Sequence, residues 1–263
     1  MIDTVFQEAP LWLFFPVTVG LVFLSAYAGR WLGARVQGRE ADETEGPAGT
    51  IVGANFALLA FILAFTFNMA ASRFEARKEL LLQEVSAVGT TILRADFLPE
   101  PERSVSKQLL AEYVRIRAED VLHQDKLSQA IARSETIHEQ LWIQVTGLVQ
   151  QERDSVSTRM YVQSLNDVID YHTKRVVVGI EYQIPGIIWL TLYFMTTLAT
   201  AAMGYQFGLA EGRSRTMVIV LTLSYSAVIL LIADLDRSGE GLVRLNQVPM
   251  IELHQSIQEK QLQ

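Results

Sequence analysis

Four stretches of the chain carry no charged residue: Ala9 to Gly29, Gly46 to Ser72, Tyr182 to Ala210 and Thr216 to Ala233. The first three exceed the roughly 20 residues that a helix needs to cross a bilayer core, and the fourth, the shortest, just reaches the lower end of that range. The pattern predicts an all-α membrane protein with four transmembrane helices. They fall in two pairs, with a long polar insert between spans two and three, so the chain reads as spans one and two (1–72), an insert (73–181), spans three and four (182–236) and a C-terminal tail (237–263). Residues 34–50, with Glu40, Asp42, Glu43 and Glu45, form a polar connection in the first pair, and 211–215 (EGRSR) a tight turn in the second.

Inside the insert the apolar positions recur at alternating steps of three and four, the period of a packed helix seam. Phe74, Leu81, Val85, Val88 and Ile92 make the first seam, and neither Pro nor Gly interrupts the chain from Ala54 to Val88. Asp96 to Arg103 (DFLPEPER) supplies a stop and restart, because proline is tolerated in a first helical turn and disfavoured in an interior. Val105, Leu109, Tyr113 and Ile116 mark a second helix. Leu127, Ile131, Leu141, Val145 and Leu148 mark a third, and Val162, Leu165, Ile169, His172 and Val176 a fourth that runs on into span three. The expectation is an antiparallel helical bundle whose outer helices are continuous with spans two and three, so that a tilt of one part moves the other.

Composition adds little to this and removes several classes. Half the residues are hydrophobic, no cysteine is present and the net charge is −7. Disulfides and zinc-thiolate sites are therefore excluded. Lys and Arg nowhere cluster with aromatics into a nucleic-acid footprint, so nucleic acid is not an expected partner. Ala26-Tyr27-Ala28 has the small-residue form of a signal-peptidase site, but the segment before it holds Asp3 and Glu8 and no basic residue, which argues for an uncleaved first span. Arg30, Arg35 and Arg39 after span one, with Arg213 and Arg215 after span three, favour the N-terminus and the insert outside the cytoplasm.

Catalytic constellations are scarce. No phosphate loop, HExxH or nucleophile elbow is present, and no cofactor or metal is expected. Glu135-Thr136-Ile137-His138 matches one half of the Glu-x-x-His pattern of di-iron bundles, which needs two halves. Glu135 and His138 are accordingly read as solvated helix residues, and His172 as a packed histidine. Asp234, Asp236, Ser238 and Gly239 fall at positions 1, 3, 5 and 6 of a calcium loop, but position 12 is Leu245 where a bidentate Glu is required. Asp234, Asp236 and Arg237 are better read as the polar end of span four, pairing at the interface with Arg73 and Glu181.

Span two carries the most informative face. Ala54, Ala57, Phe61, Ala64, Asn68 and Ala71 recur at helical spacing, and Gly53-Ala57 and Ala60-Ala64 are small-xxx-small pairs. Small residues let membrane helices approach closely, and an intramembrane Asn faces protein or water. Phe61 and Phe65, one turn apart, are the expected constriction of an axis formed by several copies, since apolar rings gate by dewetting. Arg73 and Arg77 would then lie at its mouth and raise the local anion concentration.

The stretch AFTFNMAASRFEARKELLLQEVSAVGTTILRADFLPEPER, a helical insert, two more spans and ADLDRSGEGLVRLNQVP together resemble the bestrophin-like domain family of bacterial membrane proteins, from about Gly53 to Pro249. The most specific pieces are Arg73-Phe74-Glu75 with Glu84, the turn from Asp96 to Pro101, and Asp234-Leu235-Asp236-Arg237 with Gly241. Glu84 is grouped with the last set as part of a junction between spans and insert. The resemblance implies a homo-oligomer, a pentamer in the bestrophin channels, embedded in the lipid of a bacterial inner membrane and passing chloride or another small anion along an axis lined by span two. Bestrophins keep the insert in the cytoplasm, opposite to the charge reading. A non-conducting sensor or scaffold, whose insert binds a partner or ligand, is the alternative.

Overall fold

The computed structural model describes residues 6, 9–36, 47–150, 155–209, 215–237 and 241–261. Glu40, Asp42, Glu43 and Glu45, most of the 211–215 turn, and residues 238–240 lie outside the described residues. The described helices are α1 (Leu11–Val36), α2 (Pro47–Ala95), α3 (Glu102–Ala118), α4 (Leu127–Gln150), α5 (Val156–Val176), α6 (Gly186–Leu209), α7 (Arg215–Asp236) and α8 (Val248–Gln261). No strand occurs among the described residues. α1, α2, α6 and α7 are each long and apolar enough to cross a membrane, which gives the all-α, four-span class.

α2 is one helix of 49 residues, running from the apolar span into the charged sequence beyond Ser72 without interruption. The absence of a helix breaker accounts for that continuity. The fourth insert helix behaves differently from the expectation. α5 ends at Val176, a π-helical turn covers Val177–Glu181, and non-helical residues 182–185 precede α6. Pro185 is the reason: it lacks an N–H and biases Ile184 away from helical geometry. The Ile184 N–H donates instead to the Asp236 carboxylate, at 3.0 Å.

Two compact units divide the chain, one of Met1–Phe74 with Gln183–Val243 and the other of Glu75–Tyr182 with Arg244–Gln263. In the first, α1 packs against α6 and α7. Gly29 and Gly33 of α1 meet the backbone of Ala201 and Tyr205, while Gly204 and Gly208 of α6 meet that of Ala26 and Arg30. The paired numbers rise together, so the two helices run parallel. Ser25 Oγ and Thr200 Oγ1 lie 2.5 Å apart across the seam, and Thr18 Oγ1 and Tyr193 Oη 3.1 Å apart. Lipid tails are as apolar as leucine, so such a pair is held by close packing and interhelical hydroxyl bonds, which the glycines permit. Phe14, Leu59, Leu63, Trp189, Leu192, Ile229 and Ile232 form the apolar core around it.

The second unit buries the seams read from the insert. Leu81 and Val88 of α2, Leu110 and Tyr113 of α3, Ile137, Leu141 and Val145 of α4, and Tyr161, Leu165 and Val168 of α5 make its core. Val105 stays exposed, since the buried face of α3 runs through Ser106, Leu110, Tyr113 and Arg117. The tail is a helix rather than an appendage: α8 packs on α3, with Met250 fully buried in the same core.

A Cβ on Gly204 would penetrate the Ala26 carbonyl oxygen, a backbone atom that cannot move aside. Gly204→Ala should therefore destabilise the protein by about 1–3 kcal/mol or more, the range for overpacking a tight contact. Gly53→Ala, where a Cβ meets nothing within 4 Å, is the control and should be close to neutral. Thermal unfolding of both variants in detergent measures the difference.

Candidate functional site

Three features collect the polar and exposed groups that a purely structural apolar core does not need. The first is the face of α2 inside span two. Leu59, Leu63, Thr66 and Ala70 are sealed within the first unit, whereas Phe61 is 68% and Phe65 55% exposed. Asn68 and the small residues Ala54, Ala57 and Ala64 are exposed with them. The helix thus shows one covered and one uncovered face, and the uncovered one holds the predicted pore-lining residues.

The second feature lies where span four ends. Asp234 and Asp236 are both nearly fully buried. The Asp234 carboxylate accepts from the N–H groups of Leu242 at 2.9 Å and Val243 at 3.0 Å, which turns the chain back through Gly241. Gly241 has φ of +98°, and a Cβ there would collide with that carboxylate, so the position requires glycine. Asp236 accepts from Ile184 N and pairs with Arg73 at 3.3 Å. Arg237 donates to the carbonyls of Phe6 and Ala9 and lies over the Phe14 ring. Of the expected junction residues, Arg73 and Asp236 pair directly, while Asp234 and Arg237 bond to backbone elsewhere in the first unit. The side chain of Glu181 lies outside the described residues.

Arg73 makes the pair with Asp236 that the sequence reading expects, and Arg77 is only 5% exposed, so neither is the open charge expected at a pore mouth. Glu84 is absent from the span-four group; it lies in the interior of the second unit, and it centres the third feature.

Glu84 of α2 is fully buried and engages two guanidiniums, Arg117 of α3 at 3.2 Å and Arg175 of α5 in a short contact. Tyr113 Oη donates to the same carboxylate and lies 3.2 Å from His172 Nδ1. His138 of α4 completes the group, its ring 4.9 Å from that of His172, edge to face, and 5.0 Å from Tyr113. Burial alone would raise the Glu84 carboxyl, but Arg117, then Arg175, and the Tyr113 hydrogen bond overcome it and hold the group at about 2. Every helix from α2 to α5 therefore supplies a polar group to one buried cluster. His138 is a correction, since its exposure is 7% where a solvated residue was expected, while Glu135 is exposed. Arg117 and Arg175 have no place in the sequence reading, and Tyr113 enters it only as a seam residue. Their trace in the sequence is a charge on a core register: Glu84 falls between Leu81 and Val88, and Arg117 follows Tyr113 by one turn.

A model of the Bestrophin-like domain matches residues 20–250 of the chain. No curated protein matches the sequence. Among solved structures, a bacterial bestrophin homologue from Klebsiella pneumoniae is similar at 11% identity, over 95% of this chain and 98% of that one, with a TM-score of 0.66. A single-substitution form of it is similar at 12% identity, over 97% and 100%, with a TM-score of 0.67. At that identity the likeness is one of fold.

Replacing Glu84 leaves two buried guanidiniums facing each other without a counter-charge. Glu84→Gln should cost about 3–5 kcal/mol, the usual result of breaking a buried ion pair from one side. Glu112→Gln, which breaks a half-exposed bidentate pair with Arg133, should cost far less. Because the folded carboxyl sits below its ordinary value of 4.5, its contribution is present above that pH and is lost as pH falls from about 4.5 to about 2. Unfolding midpoints of the two variants and the parent protein at neutral and acid pH check both statements.

Proposed function

This chain belongs to the family of the Bestrophin-like domain, and on that premise we propose that it is a homo-oligomeric ion channel of a bacterial inner membrane. It passes chloride or another small anion along an axis lined by α2. The observation that carries this reading is the uncovered face of span two. An asparagine exposed on a membrane helix needs protein or water beside it, because hydrocarbon offers its amide nothing. Asn68 is exposed on the same side as Phe61 and Phe65. Packing copies of the chain around that face gives Asn68 a wet or proteinaceous neighbour, and the two phenylalanines become rings around the axis. Apolar rings of this kind set conductance by desolvating the ion. The Arg73 charge is matched by Asp236, so the constriction rather than an open basic mouth dominates the barrier. The insert and its buried cluster lie outside the cytoplasm on the arginine distribution between the spans.

Purified protein reconstituted in liposomes tests the reading. Phe61→Ala with Phe65→Ala should widen the constriction and raise chloride flux at least several-fold over the parent protein. The channel assignment is overturned if vesicles carrying the folded, oligomeric double variant pass no more chloride than empty ones.

A further inference from the structure

We propose that the His138–His172 pair is a proton-operated latch: uptake of protons by two buried imidazoles, each with an unpartnered Nε2, opens the helical unit that holds them. The inference is independent of whether the protein conducts, because it rests on the interior of the second unit alone.

The tautomer of His172 follows from its neighbours. Tyr113 has one hydroxyl proton and gives it to Glu84. Its oxygen can then only accept from His172, so Nδ1 of His172 carries the hydrogen and Nε2 is a bare lone pair. Neither His172 Nε2 nor His138 Nε2 meets a hydrogen-bond partner on the protein, although the two residues are 2% and 7% exposed. Buried polar atoms are ordinarily satisfied, and each exception calls for an explanation. The charged and titratable groups facing the pair are Glu84 from α2, Tyr113 and Arg117 from α3, and Arg175 from α5 beside His172 itself. One carboxylate already answers two guanidiniums there. A proton added to either imidazole is a third and then a fourth cation in the same dry interior, where Glu84 is the one buried carboxylate of the unit among the described residues.

Opening the unit removes this penalty by hydrating both rings. Burial lowers the His138 imidazole to about 4, with Glu84 opposing and Arg117 assisting. Burial, then Arg117 and His138, bring His172 to about 3. Both folded values lie below the ordinary 6.5, so the closed unit binds fewer protons than an opened one. Closure is thus fully favoured above about pH 6.5 and weakens as pH falls from there toward about 3–4. Two protons gained on opening raise the opening equilibrium by up to about 100-fold per pH unit within that window. Glu84 adds nothing until below about pH 4.5, which separates the two effects.

Hydrogen–deuterium exchange of the full-length protein in nanodiscs reads the latch directly. After correction for the intrinsic pH dependence of exchange, amides of α4 and α5 around Ile137–Leu141 and Leu165–His172 should exchange more than about ten-fold faster at pH 5 than at pH 7. The double variant His138→Phe/His172→Phe should lose that acceleration while keeping neutral-pH protection. An equal acceleration in the variant, or none in the parent protein, overturns the proposal. Should the variant fail to fold, the parent protein labelled with ¹⁵N-histidine decides. Imidazoles of His138 and His172 that stay neutral until the α4 and α5 amides loosen support the latch; imidazoles that charge near the ordinary value with those amides still protected refute it.

Discussion

A carboxylate with no access to water is the constraint around which the second unit is arranged. Taking Glu84 out of solvent costs several kcal/mol, and the expense is offset only where donors are in place on all sides. They come from α3 and α5, through Arg117, Tyr113 and Arg175, and the ring of His172 is oriented through Tyr113. A slip of α2, α3 or α5 by one turn would strip a donor from the carboxylate. A buried ion pair of this sort adds little net stability compared with an apolar substitute, but it penalises every wrong alignment of the helices. The cluster accordingly acts on register, and the leucines and valines around it supply the burial.

The membrane unit solves its packing by the opposite chemistry. Hydrophobic transfer gives no preference for helix over lipid there, so α1 and α6 approach until backbone touches backbone, with glycines where a Cβ would intrude. Hydroxyls then bond across the seam. The carboxylates buried in this unit, among its described residues, are Asp234 and Asp236 at the end of α7, where each accepts from backbone N–H groups of non-helical segments: Leu242 and Val243 in the returning chain and Ile184 before Pro185. The same two aspartates that resemble a cation loop are thus engaged by backbone N–H groups, and Gly241 lets the chain come back to Asp234.

What was legible in the sequence was whatever a local pattern specifies. The four spans follow from charge-free length, the seams of the insert from the three-and-four period, and the unbroken α2 from the absence of a breaker. The break before α6 is equally local, written in Ile184-Pro185-Gly186, but it is masked by the apolar run that continues around it. The glycine pairs Gly29–Gly33 and Gly204–Gly208 carried a recognised spacing as well. The polar cluster is another matter. Glu84 finds Arg117 across 33 residues and Arg175 across 91, and no periodicity in one sequence links positions so far apart. A polar residue in a core register announces that a partner exists without saying which.

The placement of charge also changes how a pore along α2 would work. Basic residues following a constriction concentrate anions only while their fields reach the axis, and an ion pair at contact distance leaves little net field beyond its own length. Arg73 is so paired and Arg77 is buried. On the channel reading, the discrimination between ions therefore rests on the cost of removing water between Phe61 and Phe65. That cost depends on the size and hydration of the ion and is insensitive to salt, unlike a field set by exposed arginines. On the same reading, the Asn68 amide, about one turn beyond the second ring, would meet an ion where its hydration is regained.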